Sequence, residues 1–152
     1  MTRFNRAILA SAIGCACCTG CVQMKWEENI DHAEQMAKAE RKSLFVFYKW
    51  WLVSESNRMQ EMLEKDPDIA RLFQNTINCR IVYEWKPNQQ YMARHGVDRA
   101  PGFLIKTPDG AFQKLVGYVP KEAFLRWATS AMANPGTARP SKPPPIAPQQ
   151  AP

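Results

Sequence analysis

The sequence predicts an α/β domain with a central mixed sheet of four to five strands and helices on both faces. Segments with helical periodicity alternate with short apolar runs between residues 26 and 132, which is typical of a sheet covered by helices. The last two strand-like segments, "GFLIK" and "AFQKLV", are joined by "TPDG", whose Pro-Asp-Gly sequence favours a tight turn. We therefore expect the first strands to be parallel and the last pair to be antiparallel.

The first half of the domain predicts a helix, a buried strand and a helix with a break. "SLFVFYKW" is a continuous apolar run, typical of a strand that is buried on both faces. Ser54 or Ser56 is expected to cap the helix predicted by "SNRMQEMLEK", which begins at Ser56, and Asp66 is expected to cap a second, short helix in "DPDIARLF". The amphipathic segment "WEENIDHAEQMAKAERK" comes first, and its predicted apolar face carries Trp26, Ile30, Ala33 and Ala37.

The second half predicts a strand, a short helix, the hairpin and a closing helix. "TINCRIVYEW" alternates as a strand does, with Cys79 on its apolar side. "NQQYMARHG" predicts a short helix that is capped by Asn88 and ended by Gly96. "PKEAFLRWATSAM" begins with proline and has apolar residues at helical spacing, so it predicts the last helix.

The net charge of +6 is dispersed rather than clustered. Two arginines lie at the N-terminus and Arg139 and Lys142 near the C-terminus, which leaves sixteen basic and fourteen acidic residues between them. Nucleic-acid-binding modules usually have a basic stripe or cluster, so the composition argues against a nucleic-acid partner. Residues 134–152 hold seven of the twelve prolines, which predicts a disordered, semi-extended tail.

The N-terminus predicts an export signal in residues 1–20. "MTRFNR" is a short cationic region, and "AILASAIGCACCTG" is an apolar stretch too short to span a bilayer. The following "CTGC" resembles the lipobox of bacterial lipoproteins, although Cys18 stands where leucine is usual. The resemblance implies that Cys21 is lipidated, with Cys15 as a second candidate. It also implies a protein of the bacterial cell envelope that faces the periplasm or another extracytoplasmic space, with the membrane as a partner through the lipid anchor.

The cysteine cluster allows two further interpretations. The spacing of Cys15, Cys17, Cys18 and Cys21 suits a zinc or copper(I) site, or a disulfide staple. Both require the segment to remain in the mature protein, whereas an export signal is removed. We therefore predict no metal and no cofactor, and we assign residues 21–133 to the domain.

Three local signatures resemble thioredoxin-like proteins. The first is "LFVFYKWW", which leads directly into a helix with "NRM"; the second is "ARHGVDRAPGFLI"; the third is "TPDGAFQKLVGYVPKEAFLRWA". The resemblance covers residues 26–132 and implies the thioredoxin-like fold, with Pro101 as the family's cis-proline. It also implies a groove for extended peptides between the strand-to-helix junction and the proline loop, formed by Trp50, Trp51, Ala100, Pro101 and Gly102.

The redox motif of that family is missing. If Met59 takes the family's methionine position, the resemblance implies that the four motif positions are Val53, Ser54, Glu55 and Ser56, with valine and serine in place of the two cysteines. Dithiol exchange needs one thiolate of depressed pKa and a second thiol that resolves the mixed disulfide. Because no cysteine lies between Cys21 and Cys79, we expect no dithiol redox activity and no catalytic residue in the motif.

These observations favour a lipid-anchored binding or scaffold module for an extended peptide or an envelope protein. The alternatives are a single-thiol enzyme of peroxidase or transferase type that uses Cys79, and a purely structural envelope protein. Cys79 is expected to be a small buried hydrophobe. For Trp50 and Trp51, two arrangements stay open: both line the groove, or one packs in the core and the other covers the helix start.

A serine hydrolase is disfavoured by the same segment. Ser54 or Ser56 would need a histidine base within reach, and the only histidines are His32 and His95. His32 falls on the polar side of the first helix, and His95 falls at a helix end. A capping role for the serines is therefore expected.

Overall fold

The computed structural model describes residues 23–133, which form a four-stranded mixed sheet with helices on both faces. The strands are β1 (Leu44–Lys49), β2 (Ile77–Val82), β3 (Gly102–Lys106) and β4 (Phe112–Val116). The helices are α1 (Ile30–Glu40), α2 (Ser54–Lys65), α3 (Pro67–Leu72), α4 (Lys86–Arg94) and α5 (Lys121–Ala133). The predicted fold class and order of elements are confirmed. The expected signal segment, Cys15, Cys21 and the 134–152 tail lie outside the described residues.

The strands lie in the order β2-β1-β3-β4. β1 is parallel to β2 and antiparallel to β3, and β4 is antiparallel to β3. The C-terminal ends of β1, β2 and β4 therefore lie beside the start of β3, at one end of the sheet that we call the upper end. No helix within residues 23–133 has the length and apolar character needed to cross a bilayer.

Each face of the sheet buries its own apolar cluster. On the face covered by α2, α3 and α5, the rings of Phe45 and Phe73 stack with centroids 4.1 Å apart, and Phe103 and Phe124 complete the aromatic centre. On the face covered by α1 and α4, β1 and β2 contribute mainly aliphatic side chains, and Cys79 lies among them. Burial on both faces explains why β1 is a continuous apolar run.

Trp26 lies on the opposite face from the one that its helical spacing predicts. α1 begins only at Ile30, because Asn29 caps it and Glu27 pairs its backbone with the outer edge of β2. Backbone pairing with a strand excludes a helical conformation at that point. Trp26 therefore packs against Phe45, with ring centroids 5.9 Å apart, on the α2 face.

For α3 and α4, helix capping agrees with the sequence at the first helix and differs at the second. Asp66 caps α3 as predicted and accepts hydrogen bonds from the N–H groups of Asp68 and Ile69. Asn88 does not cap α4, whose N-cap is Trp85. Asn88 instead lies inside the helix and donates through Nδ2 to a backbone oxygen at the end of β2.

Candidate functional site

The strand-to-helix junction after β1 is a tight turn that leads into α2. Val53 is the N-cap of α2, in an extended conformation, and it makes no side-chain cap. Neither serine takes the predicted capping role: Ser54 donates to the Glu55 carboxylate over 3.0 Å, and Ser56 is buried and accepts from the N–H of Trp50 over 3.3 Å. The hydroxyl of Ser56 therefore stabilises the turn before the helix and does not cap the helix itself.

Glu55 supplies the negative charge at this helix start. Its own backbone N–H and the Ser54 hydroxyl hold the pKa of its carboxyl below the ordinary value. A carboxylate in the first turn also suits the positive end of the helix dipole. The motif Val53, Ser54, Glu55 and Ser56 thus offers an isopropyl group, two hydroxyls and a carboxylate at the helix N-terminus, which have no chemistry for disulfide exchange.

The Pro101 loop lies at the same upper end of the sheet as this junction. The Ala100–Pro101 peptide bond is cis, as the sequence resemblance implies, and Pro101 accepts from the N–H of Gly117 over 2.8 Å. Gly102 pairs with Tyr48 near the end of β1. A Cβ on Gly102 would clash with Val97 Cγ1, so glycine is needed where the loop enters β3.

The two tryptophans of the junction do not behave as a pair. Trp50 is half-buried and stacks on Tyr83, with centroids 4.7 Å apart and planes inclined by 24°. Because Tyr83 follows β2, the ring of Trp50 lies on the side of β1 opposite to Pro101. Trp51 is 62% exposed. Neither tryptophan is in the core, and Trp50 lies on the side away from Pro101, so neither of the two arrangements expected from the sequence is found.

Sequence reasoning missed most of an exposed apolar surface at the upper end. It consists of the loop and strand-end residues Trp51, Leu52, Val82, Trp85 and Tyr118, which we call the apolar rim. All five follow or end a strand whose C-terminus reaches this end of the sheet. The available signal was local: bulky apolar residues stand directly after strands, where turn-forming polar residues are usual.

Cys79 is fully buried in β2. Burial raises the pKa of its thiol to about 12, and the carboxylates of Glu27 and Glu28 contribute to the shift. A thiol in this state is protonated at neutral pH and is a poor nucleophile. The structure therefore agrees with the expectation of a small hydrophobe, and nothing in its surroundings favours the single-thiol enzyme.

The histidines are bonded away from the serines. His32 Nδ1 is 3.0 Å from a Glu27 carboxylate oxygen, and His95 Nδ1 is 2.9 Å from the Tyr91 carbonyl oxygen. Within residues 23–133 there is no group of three or more metal-ligating side chains. The described part of the chain thus holds neither a Ser–His pair nor a metal cluster.

Comparison with known proteins identifies the fold. No protein-family model matches the chain, and no curated protein matches it. The thioredoxin of Thermus thermophilus superposes with a TM-score of 0.65 at 20% identity, over 75% of this chain and 91% of that chain. The C-terminal domain of Neisseria meningitidis DsbD, in its reduced form, matches with a TM-score of 0.57 at 16% identity, over 66% and 90% of the two chains.

A third solved structure, a DsbH oxidoreductase, has a TM-score of 0.58 at 15% identity, over 74% of this chain and 86% of that one. These similarities show that the chain has the thioredoxin-like α/β fold. Identities of this size concern the fold and leave activity to be argued from the site.

Proposed function

We propose that this protein is a lipid-anchored, extracytoplasmic thioredoxin-like module that binds extended segments of envelope proteins and has no dithiol redox activity. The observation that carries the proposal is the apolar rim. Trp51, Leu52 and Trp85 are each more than half exposed, and they gather at the sheet end that also holds the Pro101 loop. Exposed apolar surface concentrated at one end of a domain is a mark of an interaction site.

An extended polypeptide segment suits this surface better than a small molecule. The rim side chains are spread over the ends of three strands, as a chain that crosses the sheet end would require. Thioredoxin-like proteins, by resemblance, receive extended peptides between the junction and the proline loop. The same two loops are present here, and by the same resemblance Val53 and Ser56 stand where the reactive thiols would be.

The absence of thiols from the junction supports binding over catalysis. An isopropyl group cannot attack a disulfide, and a serine hydroxyl has no stable redox couple with sulfur. Cys79, with its raised pKa and full burial, is a poor substitute. A bound peptide would therefore be held and released without covalent exchange.

Peptide binding is tested with the full-length protein in detergent micelles and a fluorescently labelled, reduced and carboxymethylated polypeptide that stays unfolded. Burial of a large apolar side chain contributes about 1.5–3 kcal/mol. We therefore expect the double variant Trp51→Ser, Leu52→Ser to bind at least about tenfold more weakly by anisotropy. Phe112→Ser is the matched control, because Phe112 is exposed to 43% at the lower end of the sheet.

Two outcomes would contradict the proposal. If the rim variant and the wild type bind the polypeptide equally well, the apolar rim is not the docking surface. If the protein reduces disulfides and Cys79→Ser abolishes this activity, the single-thiol enzyme becomes the better interpretation. Lipidation is tested separately by incorporation of labelled palmitate in cells, which we expect Cys21→Ala to abolish and Cys15→Ala to leave intact.

A further inference from the structure

A cleft that shares Val82 and Trp85 with the apolar rim lies at the outer edge of the sheet, beside the end of β2. Its volume is about 280 Å³. It is bounded by the ends of β1 and β2, the start of α4 and the segment before α1. The lining side chains are Glu28, Lys49, Arg80, Val82, Trp85 and Asn88.

The outer edge of β2 is only partly covered at this cleft. Glu27 donates its N–H to Asn78 O over 2.8 Å and accepts from the N–H of Arg80 over 2.7 Å. The chain then leaves the edge to begin α1. Strand alternation directs the N–H of Val82 to the same edge, one step further, where residues 23–133 supply no neighbouring strand. A polypeptide backbone can therefore approach the end of β2.

Lys49 gives the cleft a cation that is not paired with a carboxylate. Its Nζ donates to the neutral side-chain oxygen of Gln60 over 2.8 Å, and no ion pair of Lys49 is formed within the described part of the chain. Arg80, by contrast, is paired with Glu28 at 3.3 Å and Glu64 at 2.8 Å. An incoming anion would thus be attracted to Lys49 rather than to Arg80.

Asn88 adds a buried acceptor that lacks a donor. Its Nδ2 donates to Val82 O over 2.9 Å, but its Oδ1 has no hydrogen-bond partner among residues 23–133. Asn88 is only 2% exposed and forms part of the cleft wall. Buried polar atoms are nearly always paired in folded proteins. This oxygen has less than 1 Å² of accessible surface, so a ligand N–H in the cleft would pair with it after a turn of the Asn88 side chain toward the cleft.

Trp85 and Val82 supply an apolar boundary next to these polar groups. The indole of Trp85 is 51% exposed and Val82 is 39% exposed. These groups suit a ligand that carries an anion, an N–H donor and an apolar side chain close together. The last residue of a polypeptide has all three. Its carboxylate, its backbone N–H and its side chain correspond to Lys49, Asn88 and Trp85.

We propose that this cleft binds the carboxy-terminal residue of a polypeptide, with the carboxylate at Lys49 Nζ, the backbone N–H toward Asn88 Oδ1 and the side chain against Trp85. The inference rests on the proposed function and narrows it, because it names the part of the bound polypeptide that is recognised. The rim then holds the residues that precede the terminus.

The test uses the full-length protein and two labelled pentapeptides, Ala-Ala-Ala-Ala-Phe with a free carboxylate and the same peptide as an amide. A charge-assisted contact to a partly exposed lysine gives on the order of tenfold in affinity. We expect the free acid to bind about tenfold more tightly than the amide, and Lys49→Gln to abolish the difference. Lys38→Gln, an exposed position on α1 far from the cleft, is the matched control that keeps it.

The outcomes separate the two proposals. Equal affinity for the acid and the amide overturns recognition of the terminus and leaves peptide binding standing. If neither peptide binds, the inference is wrong. If the unfolded polypeptide does not bind either, the proposed function is wrong as well. If N-acetylphenylalanine binds as tightly as the free-acid peptide, the ligand is a free acylated amino acid and the polypeptide assignment is wrong.

Discussion

The reactivity of Cys79 is the most direct measure of whether this domain can act as a thiol enzyme. We expect iodoacetamide to leave Cys79 unmodified in the folded protein at neutral pH. The thiol is fully buried in β2, between the sheet and the helices of one face. Both the supply of thiolate and the access of the reagent are therefore restricted.

The low fraction of thiolate by itself slows the alkylation of Cys79 by a large factor. With a pKa raised to about 12, about one Cys79 thiol in 10⁵ is ionised at pH 7, compared with about three in a hundred for an unperturbed cysteine. The ratio is on the order of 3,000. Burial adds to it, because the reagent must wait for a local opening of the strand. We therefore expect alkylation to be slower by at least about 10³ than in the unfolded chain.

The assay follows Cys79 separately from any other cysteine. Trypsin releases residues 72–80 as one peptide, since Arg71 and Arg80 flank it, and mass spectrometry gives its alkylated fraction over time. The control is the same protein in concentrated urea. Alkylation of the folded protein within tenfold of the urea control would refute the argument and would make the single-thiol enzyme the better interpretation.

Three further predictions concern the fold and the junction. First, the contribution of Cys79 to stability should be complete below about pH 8.5, where an unfolded Cys79 keeps its proton, and should fall as the pH rises toward the folded-state pKa of about 12. Urea midpoints at rising pH measure this fall, which should be smaller in Cys79→Ala. Second, Arg80→Ala should lower the free energy of unfolding by about 1–2 kcal/mol through two ion pairs and contact with an indole ring. A double-mutant cycle with Glu64→Gln should give a coupling of about 0.5–1 kcal/mol, and no coupling would contradict the pairing. Third, the double variant Val53→Cys, Ser56→Cys should form a disulfide on mild oxidation and acquire insulin reductase activity, whereas two thiols that stay free would show that these positions are not those of the family's cysteines.

Several elements could be predicted because their signals are local. The apolar run of β1, the cap at Asp66 and the turn between β3 and β4 each depend on residues within a few positions of one another. The absence of any cysteine between Cys21 and Cys79 was equally visible. Such features need no knowledge of distant contacts.

Two of the errors arose where a distant partner competes with a local preference. Trp26 continues the helical spacing of α1, but backbone pairing of Glu27 with β2 stops the helix from starting there. Asn88 is a good capping residue by type, yet its side chain bonds to Val82 O and α4 begins earlier. In each case a hydrogen bond to β2 replaces the one that the local sequence favours.

The sequence by itself therefore determined the order of the elements, the apolar strands and the absence of thiols from the junction, because periodicity, capping and residue identity depend on neighbouring positions of the chain. Only the tertiary structure decided which loops meet. Parallel pairing of β1 with β2 brings Trp51 and Leu52 to the same sheet end as Trp85, and it places Lys49 next to Val82. These residues are more than thirty positions apart in the chain, and the strand order, which depends on the packing of the whole domain, brings them to the same end of the sheet.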